Sequence, residues 1–569
     1  MISLVAVTPG GRRQAERLAA AWPDRTTLRS GTAAEQLAAA WRDSDGIVCF
    51  LATGATVRLI APLLADKHTD PGVVCVDEAG RFAVALCGGH AGGANALTER
   101  VAHVLDATPV ITTATDAVGI TPLDTLGADL GFHLADPTAV AGVTGKALAG
   151  RPVMVRSDAT WPLPALPAAA SAAGDEKPIV LTVSDRSDAA GDLVYRPPSL
   201  VVGVGASRGA PAEEISGLVD LALDGLAHES VRAIATADVK ADEPGILAVA
   251  AARGWAVETF SAAELSTVDV PNPSEVVRAA VGTPSVAEAA ALYAAGRYGR
   301  RADLVVPKRV GTMATVAVAR LVPRGRLTLV GLGPGAADLR VPRAEAELRR
   351  ASIVVGLDQY VEQVAHLLRP GTEVRASGLG DEEQRAADAV ALAAKGHAVA
   401  LIGSGDAGVY AMASPALQQA GPDIDVVGVP GVTAALTAAS LLGAPLGHDH
   451  VLISLSDLHT PWPVIEQRVA AAAAADLVTC FYNPRSRDRH WQLGAALDAL
   501  RAHRAPVTPV GAVRQAGRPG QRVWTAPLSE FDPTEVDMLT TVLVGSSSTR
   551  MVAGRMVTPR GYRWSEIPR

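Results

Sequence analysis

The sequence predicts an α/β protein made of several domains. Short apolar runs that are typical of buried strands alternate with helical patterns along nearly all of the 569 residues, often with a glycine turn between them. Such alternation favours mostly parallel sheets covered by helices. A chain of this length is expected to form about three or four domains. Its composition, 49% hydrophobic and 19% charged, suffices for large cores and argues against disorder.

The composition also bears on the cellular location of the protein and on its binding partners. A formal net charge of −8 gives no support for nucleic-acid binding. No apolar run reaches the ~18 residues that a membrane-spanning helix needs, and no basic segment precedes the first apolar stretch as in a signal peptide. Four cysteines lie in apolar strands without a CxxC pair, which favours buried, reduced thiols. We therefore expect a cytoplasmic protein that binds neither membranes nor nucleic acids.

The domain boundaries are predicted from the points where the strand–turn–helix pattern restarts. MISLVAVTPGGRRQAERL opens the first domain, residues 1–141, with a strand and then a helix. Residues 142–199 form a small middle domain and linker that contains the Pro/Ala-rich stretch WPLPALPAAASAAGDEKP. LVVGVGASRGAPAEEI begins the third domain, residues 200–322. The polar joint PRGR, Pro323–Arg326, leads into the last domain, residues 326–569.

The last domain opens with the most informative motif, LTLVGLGPGAADL. Leu327–Leu332 is predicted to be a buried strand, and the glycines that follow tolerate positive φ and let a ligand approach the backbone. GLGPGA also fits a dinucleotide-binding fingerprint, which would make the protein a nicotinamide-dependent oxidoreductase. That fold starts its helix directly at the loop, whereas the helix signal here is Pro342. The spacing therefore argues against the oxidoreductase alternative.

Four later motifs repeat the strand-and-turn form. They are GHAVALIGSGDAGVY (396–410), VVGVPGVTAALTAASLLG (426–443), DLVTCFYNPRSRDRHWQL (476–493) and DMLTTVLVGSSSTR (537–550). In this order they closely resemble the tetrapyrrole methyltransferases of cobalamin biosynthesis. The strings YNPRSRxRxWQL and DMLTTVLVGSSST look most like precorrin-3B carbon-17 methyltransferase, and the resemblance covers about Arg326 to Thr549.

The resemblance implies two α/β subdomains with S-adenosylmethionine in a cleft between them, methylation at carbon 17 with ring contraction, and a homodimer formed through this domain. The residues expected to hold the cofactor are Gly333, Pro334, Gly335, Gly405, Asp406, Thr433, Tyr482 and Thr541. Arg485, Arg487 and Arg489 are expected to pair with the substrate's carboxylates, because a guanidinium matches a carboxylate in a bidentate way. Whether the substrate is metal-free or cobalt-bound stays open.

The first half of the chain contains two short motifs of its own, one rich in glycine and one rich in threonine. GGHAGGAN places His90 among glycines that leave its imidazole accessible, and ITTATDA ends a predicted strand with threonines and Asp116. Those hydroxyls either cap the next helix or bind substrate. The candidate substrate contacts in this half are Arg58, Lys67, Asn95, Thr112 and Thr113. No cluster of His, Cys, Asp and Glu has metal-ligand spacing, so we expect no bound metal.

These strings resemble the N-terminal region of cobalt-precorrin-5A hydrolase. Residues 200–322 resemble the C-terminal domain of the same family through VGVGASRG, ATADVKADEPGI, PSVAEAAALYAAG and VVPKRVGTMATVAVA. The resemblance implies opening of a lactone on the contracted ring, with loss of a two-carbon aldehyde. Hydrolysis needs a base, here His90 oriented by Asp116, and donors for the carbonyl oxygen, here the amides of Gly92 and Gly93. The alternative is a non-catalytic tetrapyrrole carrier.

Overall fold

The computed structural model describes residues 1–66, 69–90, 92–167, 177–486 and 489–562. They form two compact units. The first comprises Met1–Ala159, Leu163–Pro323 and Arg369–Gly371, and the second comprises Thr160–Pro162, Arg324–Leu368 and Thr372–Arg569. Strands and helices alternate through both units, which confirms the predicted α/β class. None of the helices in the described ranges is long and apolar enough to cross a membrane.

The first sheet has the strand order β2-β1-β3-β4-β5-β6, and every pair in it is parallel except β4 with β5. Its elements are β1 (Ile2–Ala6), α1 (Pro9–Ala21), β2 (Thr26–Leu28), α2 (Ala33–Asp43), β3 (Gly46–Phe50), α3 (Thr53–Ile60), β4 (Gly72–Val76), β5 (Phe82–Cys87), α4 (Ala94–Leu105), β6 (Thr108–Val110) and α5 (Ala114–Ala117). Because β5 and β6 run parallel as neighbours, the GGHAGGAN and ITTATDA loops that follow them lie at the same edge.

A four-stranded sheet with the order β7-β10-β9-β8 occupies the middle region. Its elements are β7 (His133–Leu134), α6 (Val140–Leu148), β8 (Val153–Ser157), β9 (Ile179–Val183) and β10 (Leu193–Arg196). Half of the Pro/Ala-rich stretch predicted to be a linker, residues 168–176, lies outside the described residues. Of the four free cysteines, three are buried and Cys87 is half-buried, close to the sequence prediction.

The third sheet has the order β13-β12-β11-β15-β14. Its elements are β11 (Leu200–Ala206), α7 (Ala212–Ala222), β12 (Val231–Ala237), α8 (Pro244–Arg253), β13 (Ala256–Phe260), α9 (Ala262–Leu265), α10 (Glu275–Val281), α11 (Val286–Tyr298), β14 (Arg301–Val310) and β15 (Ala314–Val322). The alanine-rich helix α11 packs closely on this sheet: a Cβ on Gly203 would lie 1.9 Å from the carbonyl oxygen of Ala287. Small residues on both elements permit that approach.

The second unit begins with an all-parallel sheet of order β18-β17-β19-β16-β20. Its elements are β16 (Gly325–Gly331), α12 (Pro342–Arg350), β17 (Ile353–Leu357), α13 (Asp358–Val364), β18 (Glu373–Ser377), α14 (Glu382–Ala394), β19 (Ala398–Gly403), α15 (Ala413–Gln419) and β20 (Ile424–Val429). Helix α12 begins at Pro342, as predicted, so a ten-residue connection separates it from β16. That length differs from the short turn of a dinucleotide fold.

A second, mostly antiparallel sheet completes this unit, with the order β22-β23-β26-β24-β25, beside a small sheet of order β21-β28-β27. The elements are α16 (Ala434–Leu442), β21 (Gly443–Ala444), β22 (His450–Ser454), α17 (Trp462–Ala474), β23 (Val478–Tyr482), α18 (Gln492–Arg501), β24 (Pro509–Arg514), β25 (Arg522–Pro527), β26 (Thr540–Val544), β27 (Arg550–Val552) and β28 (Arg555–Val557). Two α/β subdomains therefore form one compact unit.

Candidate functional site

Three glycine loops meet at the carboxyl edge of the parallel sheet of the second unit. They follow the neighbouring strands β19, β16 and β20. Gly333 and Gly405 exchange both backbone hydrogen bonds, with N···O distances of 3.1 Å and 2.7 Å. A Cβ on Gly431 would lie 2.0 Å from the Gly405 carbonyl oxygen. Glycine is therefore required here so that the loops can pack on one another, in addition to any ligand they admit.

Asp406 ties two of these loops together. Its Oδ1 accepts the N–H of Gly408 at 2.8 Å, and its Oδ2 accepts the N–H of Gly431 at 3.0 Å. Each of its oxygens thus holds a backbone amide, which makes Asp406 a residue that shapes the loops. Its expected contact with the cofactor stays a prediction.

Tyr482, at the end of β23, reaches the start of helix α16. Its hydroxyl accepts the N–H of Ala435 at 2.9 Å and shares a 2.5 Å hydrogen bond with Thr433 Oγ1. Burial raises the pKa of the Tyr482 hydroxyl, so it stays protonated at neutral pH. The ring centroid of Tyr410 lies 5.3 Å from that of Tyr482, and the Tyr410 hydroxyl donates to the Leu452 carbonyl at 2.7 Å. The second subdomain thus fixes the third glycine loop.

A cleft of about 1070 Å³ lies beside these loops and is lined by both subdomains of the unit. Pockets that bind drug-sized ligands have volumes of roughly 300–1,000 Å³, so this cleft is large enough for a ligand of that size or more. Six of the predicted site residues line it, namely Pro334, Gly405, Thr433, Tyr482, Arg489 and Thr541. Gly333, Gly335 and Asp406 belong to the same loops without contributing to the lining.

The three arginines of YNPRSRDRHWQL differ in their surroundings. Arg489 lines the cleft and is only 8% exposed, and its Nε has no hydrogen-bond partner among the described residues. Burial lowers the pKa of its guanidinium. Arg485 instead donates to the backbone carbonyls of Pro533 and Thr534, at 3.3 Å and 3.0 Å. Arg487 lies outside the described residues.

Three strained residues that the sequence did not single out also line the cleft. Tyr410, Asn483 and Gln515 have φ angles of +51°, +49° and +49°. Non-glycine residues rarely adopt this left-handed conformation, and such strain clusters at functional sites. Asn483 also donates from Nδ2 to Ser454 Oγ at 3.1 Å. Tyr410 and Asn483 follow strands in the quoted motifs, but nothing in the sequence marks their φ angles.

In the first unit, the residues predicted around His90 come together. His90 Nε2 lies 2.9 Å from Thr115 Oγ1 and 3.2 Å from Asp116 Oδ2, and the side chain is 15% exposed. Asn95 Nδ2 donates to both Thr113 Oγ1 and Asp116 Oδ2 at 2.8 Å. Thr113 Oγ1 also donates to Asp116. Asn95 Oδ1 is buried without a hydrogen-bond partner within the described ranges. The cluster thus combines an imidazole, a carboxylate and an acceptor without a protein donor.

The remaining predictions for the first half concern Gly93, Arg58, Thr112 and Lys67. The Gly93 N–H closes a turn onto the His90 carbonyl at 3.0 Å, so its predicted role as a free donor for a carbonyl oxygen is wrong. Arg58 is exposed and donates to the Gly54 carbonyl of its own helix at 2.9 Å. Thr112 is exposed, and Lys67 lies outside the described residues. No group of three or more potential metal ligands occurs in the described part of the chain.

Comparison with known proteins identifies the second unit. Over 242 residues, or 42% of the chain, it is 47% identical to the probable cobalt-factor III C(17)-methyltransferase of Salmonella typhimurium and covers 99% of that protein. The chain belongs to the tetrapyrrole (corrin/porphyrin) methylases. The model of that family matches residues 326–532. The models named cobalamin synthesis G N-terminal and cobalamin synthesis G C-terminus match residues 35–116 and 200–319.

Two further relatives and one solved structure are also similar to the chain. The precorrin-3B C(17)-methyltransferase of a Sinorhizobium species is 40% identical over 249 residues, which is 42% of this chain and 97% of that protein. The solved structure of the methyltransferase CobJ has 38% sequence identity and a TM-score of 0.40, and the match covers 41% of this chain and all of that one. The chain spans about half the length of the Mycobacterium tuberculosis protein CobIJ, at 43% identity over 43% of this chain.

This tetrapyrrole methylase therefore joins cobalamin synthesis G domains to a methyltransferase, and its methyl donor is S-adenosylmethionine. The cleft fits such a cofactor. Its edge is formed by the glycine loops, which bring backbone close to a ligand, and by the Tyr482–Thr433 pair. Pro334, Gly405, Thr433, Tyr482 and Thr541 are the predicted cofactor contacts that face it.

We expect Asp406→Ala to weaken the binding of S-adenosylhomocysteine to the full chain by about tenfold, which is equivalent to ~1.4 kcal/mol. The substitution leaves the amides of Gly408 and Gly431 without their acceptor and loosens both loops. Titration calorimetry measures the affinity, and Asp423→Ala, an exposed carboxylate just before β20, is the matched control. Equal affinities in the wild type and in Asp406→Ala would contradict the loop-shaping role.

Proposed function

We propose that this chain is a bifunctional enzyme of corrin-ring synthesis. The second unit methylates a tetrapyrrole at carbon 17 with contraction of the ring, and the first unit opens a lactone on the contracted ring. The methyltransferase assignment is supported by the 47% identity to a C(17)-methyltransferase along nearly its whole length. The buried Arg489 in the cleft, whose Nε has no hydrogen-bond partner among the described residues, is the single observation that carries the substrate proposal.

The substrate's acetate and propionate side chains explain why a buried guanidinium with an unsatisfied Nε is kept in the cleft. Burying a cation with an unsatisfied donor is costly, so Arg489 gains from a ligand that brings a carboxylate. S-adenosylmethionine supplies an electrophilic methyl group to a nucleophilic ring carbon of the substrate. The enzyme then mainly has to align two bound reactants, which is the work of the glycine loops, Thr433, Tyr482 and Arg489.

Arg489→Gln is expected to raise KM for the tetrapyrrole substrate by about tenfold or more, because the substitution removes a charge-assisted hydrogen bond of ~1.5–3 kcal/mol. The affinity for S-adenosylhomocysteine is expected to stay unchanged. Arg485→Gln is the matched control, because its guanidinium holds backbone carbonyls and does not line the cleft. An unchanged KM for Arg489→Gln would remove this arginine from substrate binding. Running the assay with metal-free and cobalt-bound substrate determines which form is used.

In the first unit, the hydrogen bonds of His90 define the roles of its two ring nitrogens. His90 Nε2 forms a hydrogen bond with Thr115 Oγ1 at 2.9 Å and lies 3.2 Å from Asp116 Oδ2; we place the proton on Nε2, which leaves Nδ1 as the basic nitrogen. In lactone opening, Nδ1 takes a proton from water as the water oxygen bonds to the carbonyl carbon. The lactone C–O bond then breaks, the alkoxide takes up the proton from Nδ1, and the new carboxylic acid releases the second water proton to solvent. The aldehyde leaves when the alcohol carbon becomes a carbonyl: its O–H proton is lost, its C–C bond to the macrocycle breaks, and the macrocycle takes up the electron pair and a proton. Asp116 orients the imidazole and stabilises its charged form.

We expect His90→Ala to slow lactone opening by a factor of ~10²–10⁴, the usual cost of losing a general base, with methyl transfer unchanged. Asp116→Asn is expected to slow the same step. His103→Ala, an exposed histidine of helix α4, is the control. Release of the aldehyde and methyl transfer are measured on one preparation of each variant. Full lactone opening by His90→Ala would exclude it as the base, and no aldehyde release by the wild type would favour the carrier alternative.

We also propose a homodimer formed through the methyltransferase domain. Large apolar side chains are exposed on α16 and β27, namely Leu436, Leu441, Met551 and Val552. Light scattering of the full chain is expected to give twice the monomer mass, and the double substitution Leu436→Glu with Leu441→Glu is expected to give monomers. Leu221→Glu, an equally exposed leucine on α7, is the control. A wild-type monomer at micromolar concentration would refute the proposal.

A further inference from the structure

The loop between β24 and β25, residues 515–521, contacts two of the glycine loops through one side chain. Arg518 Nε donates to the carbonyl oxygen of Pro334 at 2.5 Å, and its Nη2 donates to Ser404 Oγ at 2.7 Å. Pro334 follows β16 and Ser404 follows β19, and these two strands are neighbours in the parallel sheet. We call residues 515–521 the latch loop, because it spans from the second subdomain to the loops of the first.

The latch loop and the glycine loop that follows β16 also fit together sterically. A Cβ on Gly335 would lie 2.6 Å from Arg518 Cγ and 2.7 Å from its Nε, so the arginine lies flat against the glycine. A Cβ on Gly517 would lie 3.3 Å from Pro334 Cγ. Gly335 and Gly517 both have positive φ, +135° and +69°. A side chain at position 335 would therefore clash with Arg518, so the contact requires glycine there.

The latch loop is itself held in one conformation. Gln515 has a left-handed φ of +49°, and its carbonyl accepts the N–H of Arg518 at 3.0 Å. The N–H of Gly517 donates to Gln521 Oε1 at 2.9 Å, and the N–H of Gln521 donates to the Arg518 carbonyl at 3.1 Å. Because the backbone is fixed on both sides of Arg518, little conformational entropy is lost when its side chain is placed.

The side chain of Arg518 donates its hydrogen bonds to neutral acceptors only. Its two hydrogen bonds end on a carbonyl and a hydroxyl, and no carboxylate lies within ion-pair distance of it in the described part of the chain. A planar guanidinium can serve two acceptors at a fixed angle, whereas a lysine ammonium on a flexible stem cannot reproduce that fork. Arg518 also lines the cleft. The arrangement suits a residue that sets the distance between two loops.

We propose that Arg518 is a positioning residue for methyl transfer. It holds the loops after β16 and β19 at the separation that the cofactor requires, so that S-adenosylmethionine binds a preformed site. The proposal rests on the cofactor cleft described above and assigns to the latch loop a role in the same reaction. The order of these loops is therefore expected to depend on Arg518 in the ligand-free enzyme as well.

The test measures loop order and cofactor affinity separately on the full chain. Hydrogen exchange of the ligand-free protein is expected to be faster in residues 333–340 and 404–412 of Arg518→Ala than in the wild type, and unchanged in β16 and β19. Calorimetry is expected to show at least about tenfold weaker binding of S-adenosylhomocysteine. KM for S-adenosylmethionine rises accordingly, while KM for the tetrapyrrole changes little. Arg518→Lys recovers only part of the affinity.

Arg522→Ala is the matched control, since Arg522 lies at the far side of the latch loop and pairs with Glu535 at 2.8 Å outside the cleft. It is expected to match the wild type in every measurement. Ser404→Ala removes one acceptor only and provides a milder variant if Arg518→Ala does not fold; it is expected to weaken binding by a smaller factor. The proposal would be overturned if Arg518→Ala, or Ser404→Ala where that variant is used, had the hydrogen-exchange rates and the S-adenosylhomocysteine affinity of the wild type.

Failure of the wild type to bind S-adenosylhomocysteine would refute the cofactor site. The hydrogen-exchange rates test the role of the latch loop independently of that result.

Discussion

The close packing of three glycine loops at one edge of a parallel sheet is the constraint on which the methyltransferase site depends. The Gly405 carbonyl accepts the Gly333 N–H and also occupies the space that a Cβ on Gly431 would fill. Asp406 then fastens the third loop through the Gly431 amide. None of these groups has to touch a ligand to be essential, because together they determine where the cleft-lining atoms lie.

The second subdomain completes the site by holding these loops from the other side. Tyr482 fixes the start of α16 through the Ala435 amide, and Arg518 fixes the loops after β16 and β19. Tyr482 lies at the end of β23, where the sheet sets the backbone direction, and Arg518 lies in the latch loop, whose own hydrogen bonds fix the backbone. The cleft between the subdomains is therefore formed by elements that also connect them, so that cofactor binding and subdomain packing depend on the same contacts.

The sequence predicted the parts of this fold that depend on local backbone chemistry. The strand before Gly333, the glycine turns and the start of α12 at Pro342 follow from apolar runs, positive φ and the fixed φ of proline. Contacts between distant segments could not be predicted in this way. Arg485 and Arg489 look equivalent in one basic cluster, yet one holds a backbone turn and the other faces the cleft. Arg518 contacts a loop 184 positions away, and no local pattern indicates that pairing.

The sequence names His90, Asp116 and the amides of Gly92 and Gly93 as one site, but it could not show that the first two side chains meet or that the Gly93 amide is occupied. The first two follow neighbouring parallel strands, β5 and β6, so sheet topology alone brings their loops to one edge. The availability of an amide depends instead on the turn it belongs to, and the turn in GGHAGGAN uses the Gly93 N–H for the His90 carbonyl. That bond fixes the backbone of His90 while Asp116 fixes its ring, so the glycines of this loop help to orient the imidazole.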